Sequence, residues 1–239
     1  TIGGALSQNS LFHGSGVNGT VADSVIGRTV VLADGTVVTT GSGAHKNANP
    51  FWRHFGPEGN RVTSVAGVAG DRPTYYAGAA SGGIWKTSDG GNTWRPIFDD
   101  QPVSSIGALA TAPSDPNVVW AGTGEPFLRS HISIGWGVVK STDAGKTWGR
   151  MGLDDTGRIS RILIHPTNPD IVYIAALGHA YGPQPERGVY RTTDGGATWT
   201  RVLFVDENTG CSDLAMDPRN PRILFAGMWQ LEIHTWGRT

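Results

Sequence analysis

The chain has 239 residues, a formal net charge of −1 and only 16% charged side chains, so it builds no basic field for nucleic acid or an anionic membrane surface. One cysteine, Cys211, excludes an internal disulfide and a Cys-rich zinc site, and no apolar run approaches the roughly 18 residues of a membrane span. The 35 glycines and 9 tryptophans, without collagen periodicity, predict short strands between tight turns, and the opening at Thr1 without Met or leader-like stretch reads as an internal piece.

Residues 1 to about 50 are rich in glycine and small polar side chains. They contain one predicted strand pair, Thr29 to Leu32 and Thr36 to Thr39, with Asp34-Gly35 in the turn. The texture changes near Gly56, which divides the chain into residues 1–55 and 56–239. Beyond that point a motif recurs: Thr87-Ser88-Asp89-Gly90-Gly91-Asn92-Thr93-Trp94, then Ser141 to Trp148, then Thr192 to Trp199. Its aspartates Asp89, Asp143 and Asp194 stand 54 and 51 residues apart. A Pro-containing turn beginning at Pro113, Pro166 and Pro218 keeps step at 53 and 52 residues. Two interleaved motifs with one period define a repeat.

The second copy reads strand by strand. Ile106 to Ala112 is an apolar strand, the Pro-Ser-Asp-Pro-Asn turn follows, and Val118 to Gly122 returns. A loop runs from about Gly124 to Gly135, Gly137 to Ser141 is the third strand, and Thr147 to Met151 the fourth. Four antiparallel strands per fifty-odd residues make a propeller blade. The expected fold is all-β: a partial β-propeller of about 3.5 four-stranded blades behind a Gly-rich N-terminal β segment. Its open edges and missing blades predict self-association.

The Asp motif reads as a turn staple. The carboxylate accepts N–H bonds across its own turn, and the hydroxyl two residues earlier braces it. The glycine at the fifth position (Gly91, Gly145, Gly196) supplies the left-handed backbone, and the tryptophan at the eighth (Trp94, Trp148, Trp199) packs between sheets. These residues are structural. No His-x-x-x-His or acidic calcium-loop pattern occurs, so no metal site is expected.

This Ser/Thr-x-Asp-x-Gly-x-Thr-Trp pattern resembles the Asp-box (BNR) repeat of sialidases, xyloglucanases and sortilin-type domains. Ser81 to Thr87, Gly178 to Pro183 and Arg187-Gly188-Val189-Tyr190 are similar to large bacterial sortilin-like, glycosyl-hydrolase-like proteins. That resemblance implies a propeller with its Asp boxes on the periphery, and a secreted or periplasmic location. Residues 1–55 resemble a different group, FAD-linked oxidases of the vanillyl-alcohol oxidase type. The likeness rests on Thr1 to Ala5, Gly19-Thr20, Asp23 to Gly27, Val30 to Gly35 and Asn49 to Pro57. It implies flavin-side roles for Gly3, Gly4, Ser7, Gly14, Gly19, Thr20 and Asp23. The family's upstream pyrophosphate loop and substrate half have no counterpart in the sequence, so no cofactor is expected and FAD is the alternative. The two likenesses meet near Gly56-Pro57, as in a fusion or an assembly artefact rather than an evolved two-domain enzyme.

Within a blade the Pro turn and the Asp motif leave by one face. The loops between second and third strands, and the links between blades, leave by the other, where binding residues collect on a rigid scaffold. The binding candidates there are Glu125, Arg129, His131, His179, Tyr181 and Arg187, with Trp229, Gln230, Glu232 and His234 contributed by the fourth repeat. Plainer readings stand beside them: Glu125 with Arg129 as a buried pair, Glu186 with Arg187 as a local ion pair, paired aspartates as turn caps, the two histidines as hydrogen-bonded loop residues. Glycoside hydrolysis needs two carboxylates, about 5–5.5 Å apart for retention or 6.5–9.5 Å for inversion. Glu125, Asp100, Asp155 and Glu186 are the catalytic candidates. The expected function is a scaffold presenting a loop face to a glycan or peptide. The alternatives are a glycoside hydrolase using a carboxylate pair there, and a remnant of a flavin oxidoreductase.

Overall fold

The computed structural model describes residues 28–31, 37–40, 57, 61–127 and 132–232. The chain divides into two compact units, Thr1–Phe55 and Gly56–Thr239. In the first, β1 (Arg28–Val31) and β2 (Val37–Thr40) pair antiparallel, Arg28 opposite Thr40 and Val31 opposite Val37. The flavin-side candidates Gly3, Gly4, Ser7, Gly14, Gly19, Thr20 and Asp23 lie outside the described residues.

The second unit is a partial β-propeller. Blade one is β3 (Val62–Val68), β4 (Asp71–Ala79), β5 (Ile84–Thr87) and β6 (Arg95–Pro96). Blade two is β7 (Ile106–Ala112), β8 (Asp115–Thr123), β9 (Val138–Ser141) and β10 (Gly149–Arg150). Blade three is β11 (Ile159–Ile164), β12 (Val172–Ala176), β13 (Gly188–Thr192) and β14 (Thr200–Leu203). Two strands of a fourth follow, β15 (Thr209–Met216) and β16 (Leu224–Gln230). All neighbours within a sheet are antiparallel, and the first strands β3, β7, β11 and β15 pack side by side as the inner edges. Two expected boundaries shift. β8 begins at Asp115, inside the Pro-containing turn, because Ala112 already pairs with Asp115. The fourth strand shrinks to Gly149–Arg150, since the Asp turn occupies the preceding residues.

The core lies in the seams between blades. Tyr76, Ile84, Ile106, Val119 and Val139 fill the first seam, and Trp120, Val138, Ile159 and Ile174 the second. Val189, Cys211 and Leu214 fill the third. Cys211 is wholly buried and packs in this seam, and burial pushes its thiol up to about 12, which disfavours the thiolate.

The Asp turns explain the tryptophans. Asp143 accepts from the Ser141 hydroxyl at 2.8 Å, the Thr147 amide at 2.9 Å and the Thr147 hydroxyl at 2.6 Å. Asp89 and Asp194 repeat the pattern. The turn then hands its tryptophan to the preceding blade. Trp148 Nε1 donates to Ile97 O at 2.9 Å and Trp199 Nε1 to Met151 O at 2.6 Å, while their rings meet Phe98 and Trp120 edge-on. Trp94 Nε1 is buried without a partner among the described residues. Trp148→Phe and Trp199→Phe are therefore each expected to cost about 1 kcal/mol more than Trp94→Phe, readable as shifts in urea midpoint.

The same turns are expected to make the chain's stability depend on acid pH. Hydrogen bonds from the Thr93 amide and hydroxyl, and from the Thr87 hydroxyl, hold the Asp89 carboxyl down at about 2. The Thr147 and Thr198 hydroxyls lead in holding Asp143 and Asp194 well below the usual carboxylate range. A depressed folded value stabilises fully above the unfolded value near 4 and is lost as pH falls through the folded value. Melting temperature should thus decline steeply from about pH 4 downward, and Asp143→Asn should flatten that decline while lowering stability at neutral pH.

Candidate loop-face site

The Pro turns and Asp turns share one face, joined by bonds from Gly90 N to Pro73 O, Ala144 N to Asn117 O and Gly195 N to Asp170 O. The opposite face is built from the links and the loops after the second strands. There Glu125 stands two residues after β8, with its amide donating to Ser133 O at 3.0 Å. The side chain is fully buried and pairs with Arg61, which immediately precedes β3. Arg158 occupies the same repeat position before β11. It is 97% inaccessible by contrast with Arg61, its exposure being 3%. Burial pushes the Arg158 guanidinium down, and Tyr181 and Glu125 act against that shift. Glu125 of blade two therefore pairs with an arginine of blade one, and the buried Arg158 of blade three lies within electrostatic reach of both Glu125 and Tyr181.

The third-blade loop is tied down from beneath. Gln184 donates from its amide nitrogen to Asp155 O and accepts from the His179 amide. Arg187, expected on the loop surface, is instead fully buried. Its Nη1 donates to Asn208 O and Leu231 O, and its Nη2 to His179 O and Gly182 O. The reason is that four carbonyls at a junction of three loops need donors, and a guanidinium fork supplies them. This replaces both the expected binding role of Arg187 and its expected ion pair with Glu186. Above the clasp, Tyr181 is 51% exposed, and the half-buried His179 ring lies against Gly157.

The remaining candidates separate. Asp100 and Asp155 are exposed and Glu186 is half-buried; no described contact joins any of them to Glu125. Asp154 and Asp155 open a short 3-10 turn, Asp154–Thr156, and Asp154 pairs with Arg150. Arg129, His131 and His234 lie outside the described residues, and with them the expected pair of Glu125 and Arg129; within the described residues Glu125 pairs with Arg61. Trp229 and Glu232 are exposed at the end of the fourth sheet. Among the described residues no group of three or more His, Cys, Asp and Glu could hold a metal ion, and no helix is long and apolar enough to cross a membrane. Arg61 and Gln184 were missed by motif reading. The signal for Arg61 was available: it and Arg158 share one repeat position.

No protein-family model matches the chain. Among curated proteins it is 27% identical over 180 residues to a xyloglucanase of Paenibacillus sp, covering 69% of this chain and 17% of that protein. It is 28% identical over 145 residues to a xyloglucanase of Acetivibrio thermocellus, covering 55% and 16%. Among solved structures, an ancestral GH74 enzyme superposes with a TM-score of 0.59 at 22% identity, over 84% of this chain and 25% of the other. The GH74 enzyme of Niastella koreensis gives 0.55 at 21%, over 71% and 26%. This is a glycosyl-hydrolase-like partial propeller. It spans about a sixth of the length of these curated relatives.

Proposed function

We propose that the propeller unit is a glycan-binding module whose loop face takes a β-glucan chain of the kind the similar xyloglucanases act on. The observation that carries this reading is the buried Glu125 carboxylate paired with Arg61, with the buried Arg158 in electrostatic reach of it and of the exposed Tyr181. A buried, braced charge array next to an exposed aromatic ring is the combination a polar ring ligand uses, hydrogen bonds at its edge and stacking on its face. The repeat turns are read as Asp boxes whose work is to hold the blades. The location is read as secreted or periplasmic, in keeping with a polysaccharide ligand.

Affinity electrophoresis in gels containing xyloglucan tests the reading. The full chain should be retarded, and Tyr181→Ala should lose about ten-fold in affinity with an unchanged melting temperature. Equal mobility with and without xyloglucan, or full retardation of Tyr181→Ala, would remove it. Catalysis by this chain is a separate reading, resting on the relatives' names. It needs a second carboxylate beside Glu125; reducing-sugar release from xyloglucan that disappears in Glu125→Gln would establish it. Flavin absorbance retained by the full chain after addition of FAD would do the same for the N-terminal resemblance.

A further inference from the structure

The four inner strands carry a second feature that the loop-face reading leaves unused. Each has a bulge at the same place. The register slips between Val62 and Ser64, between Ile106 and Ala108, between Ile159 and Arg161, and between Cys211 and Asp213. The extra residues are Thr63, Gly107, Ser160 and Ser212. A bulge leaves its extra residue out of the ladder and re-aims its neighbours. Here the consequence is a cavity of about 320 Å3 running across the inner strands, bordered by these positions, by Val65 and by Phe127.

The groove's chemistry is specific. Thr63 Oγ1 donates to Gly78 O at 2.9 Å or Ile106 O at 2.6 Å. Ser160 Oγ donates to Cys211 O at 2.7 Å, and Ser212 Oγ to Gly227 O at 2.9 Å. Each hydroxyl has one proton and spends it on a carbonyl, so what it offers a ligand is an acceptor. Arg161 Nε and Asp213 Oδ1 pair at 3.5 Å with side chains 55% and 72% exposed. That pair engages one atom of each, so the remaining guanidinium N–H groups and Asp213 Oδ2 are a donor and an acceptor side by side. Val65 and Phe127, 62% and 53% exposed, supply apolar surface.

An anion would meet hydroxyl lone pairs and Asp213; a cation would meet Arg161. A neutral ring bearing several hydroxyls meets neither penalty. Its O–H groups donate to the serine and threonine oxygens, vicinal hydroxyls bridge Arg161 and Asp213, and its C–H face covers Phe127. We infer that the bulge-lined groove over the inner strands is a second, independent sugar subsite, taking one or two pyranose rings. It rests on the glycan reading only for the choice of probe.

The test uses the full chain with methyl-labelled valine and leucine, titrated with cellobiose. Val65 methyl resonances should shift saturably. Asp213→Ala and Phe127→Ala should each weaken the response by about ten-fold, while Tyr181→Ala leaves it intact. Because the Arg161–Asp213 pair is exposed, its loss should hardly change stability, and Asp213→Asn, which keeps an acceptor, should recover part of the affinity. No Val65 shift with cellobiose, or a shift indifferent to both groove variants, overturns the inference. A Val65 shift abolished by Tyr181→Ala also overturns it, since the ligand would then belong to the loop face. Val65 shifts without retardation in xyloglucan gels would retain the groove and remove the loop-face reading.

Discussion

Arg187→Ala is expected to destabilise the propeller unit by about 4 kcal/mol and to free the third-blade loop. The guanidinium is fully buried and holds Asn208 O, Leu231 O, His179 O and Gly182 O. Those carbonyls come from the link before β15, the end of the fourth sheet and the loop itself. Alanine would leave them desolvated and leave a hole the size of the side chain, two costs that add. Two companions separate the causes. Arg187→Met keeps most of the volume and loses every donor; Arg187→Lys keeps the charge but offers a compact head that cannot span the carbonyls. If hydrogen bonding dominates, methionine should resemble alanine and lysine should recover less than half of the loss. Urea unfolding measures the energies, and limited proteolysis between residues 178 and 187 measures the loop. An alanine variant melting with the parent would show that the clasp does not hold the loop. Tyr181 sits in that loop, so xyloglucan retardation should fall in proportion to its release.

What could be read from the residues was whatever repeats. The Asp-turn period located the blades, because Asp143, its hydroxyl brace and Trp148 act within a few residues of one another and leave a local pattern. The strand edges were less legible: β8 starts within a Pro-containing turn, which local turn propensity assigns to loop and strand pairing overrides. Arg187 shows the limit at the site. Beside Glu186 it reads as a surface pair, and only the convergence of three loops above it reveals a buried donor. The Glu125 pair shows the same limit. The partner Arg61 stands 64 residues away; the repeat position Arg61 shares with Arg158 marks the arginine, but no spacing rule joins it to a loop residue that follows a strand in another blade. The left-handed backbone of Ala144, at the fourth position of its Asp turn where the other two turns have Gly90 and Gly195, is likewise invisible in the motif.

Gly107→Ala is the second large effect, and it arises where the sequence gives least warning. Thr63, Ser160 and Ser212 occupy the equivalent bulge positions, so a side chain there is the rule. In blade two a Cβ would drive into the carbonyl oxygens of Ile159 and Gly124, with Pro126 Cδ at 3.2 Å. Both close atoms are backbone, one belonging to blade three, so no rotamer change relieves the clash. Blade two must move from blade three, opening the seam that buries Trp120, Ile159 and Ile174. Overpacking of this kind costs about 3 kcal/mol, and here it acts on a seam that carries the core. Ser160→Gly, which removes the hydroxyl's bond to Cys211 O or Ala175 O, should cost about 1 kcal/mol for the lost bond plus a similar amount for backbone freedom. The pair therefore makes a sharp comparison at one repeat position: adding a methyl in blade two should harm the fold more than deleting a bonded side chain in blade three. Urea midpoints in the reverse order would mean that the seam between blades two and three yields easily, and that packing around Gly107 does not fix the spacing of the blades.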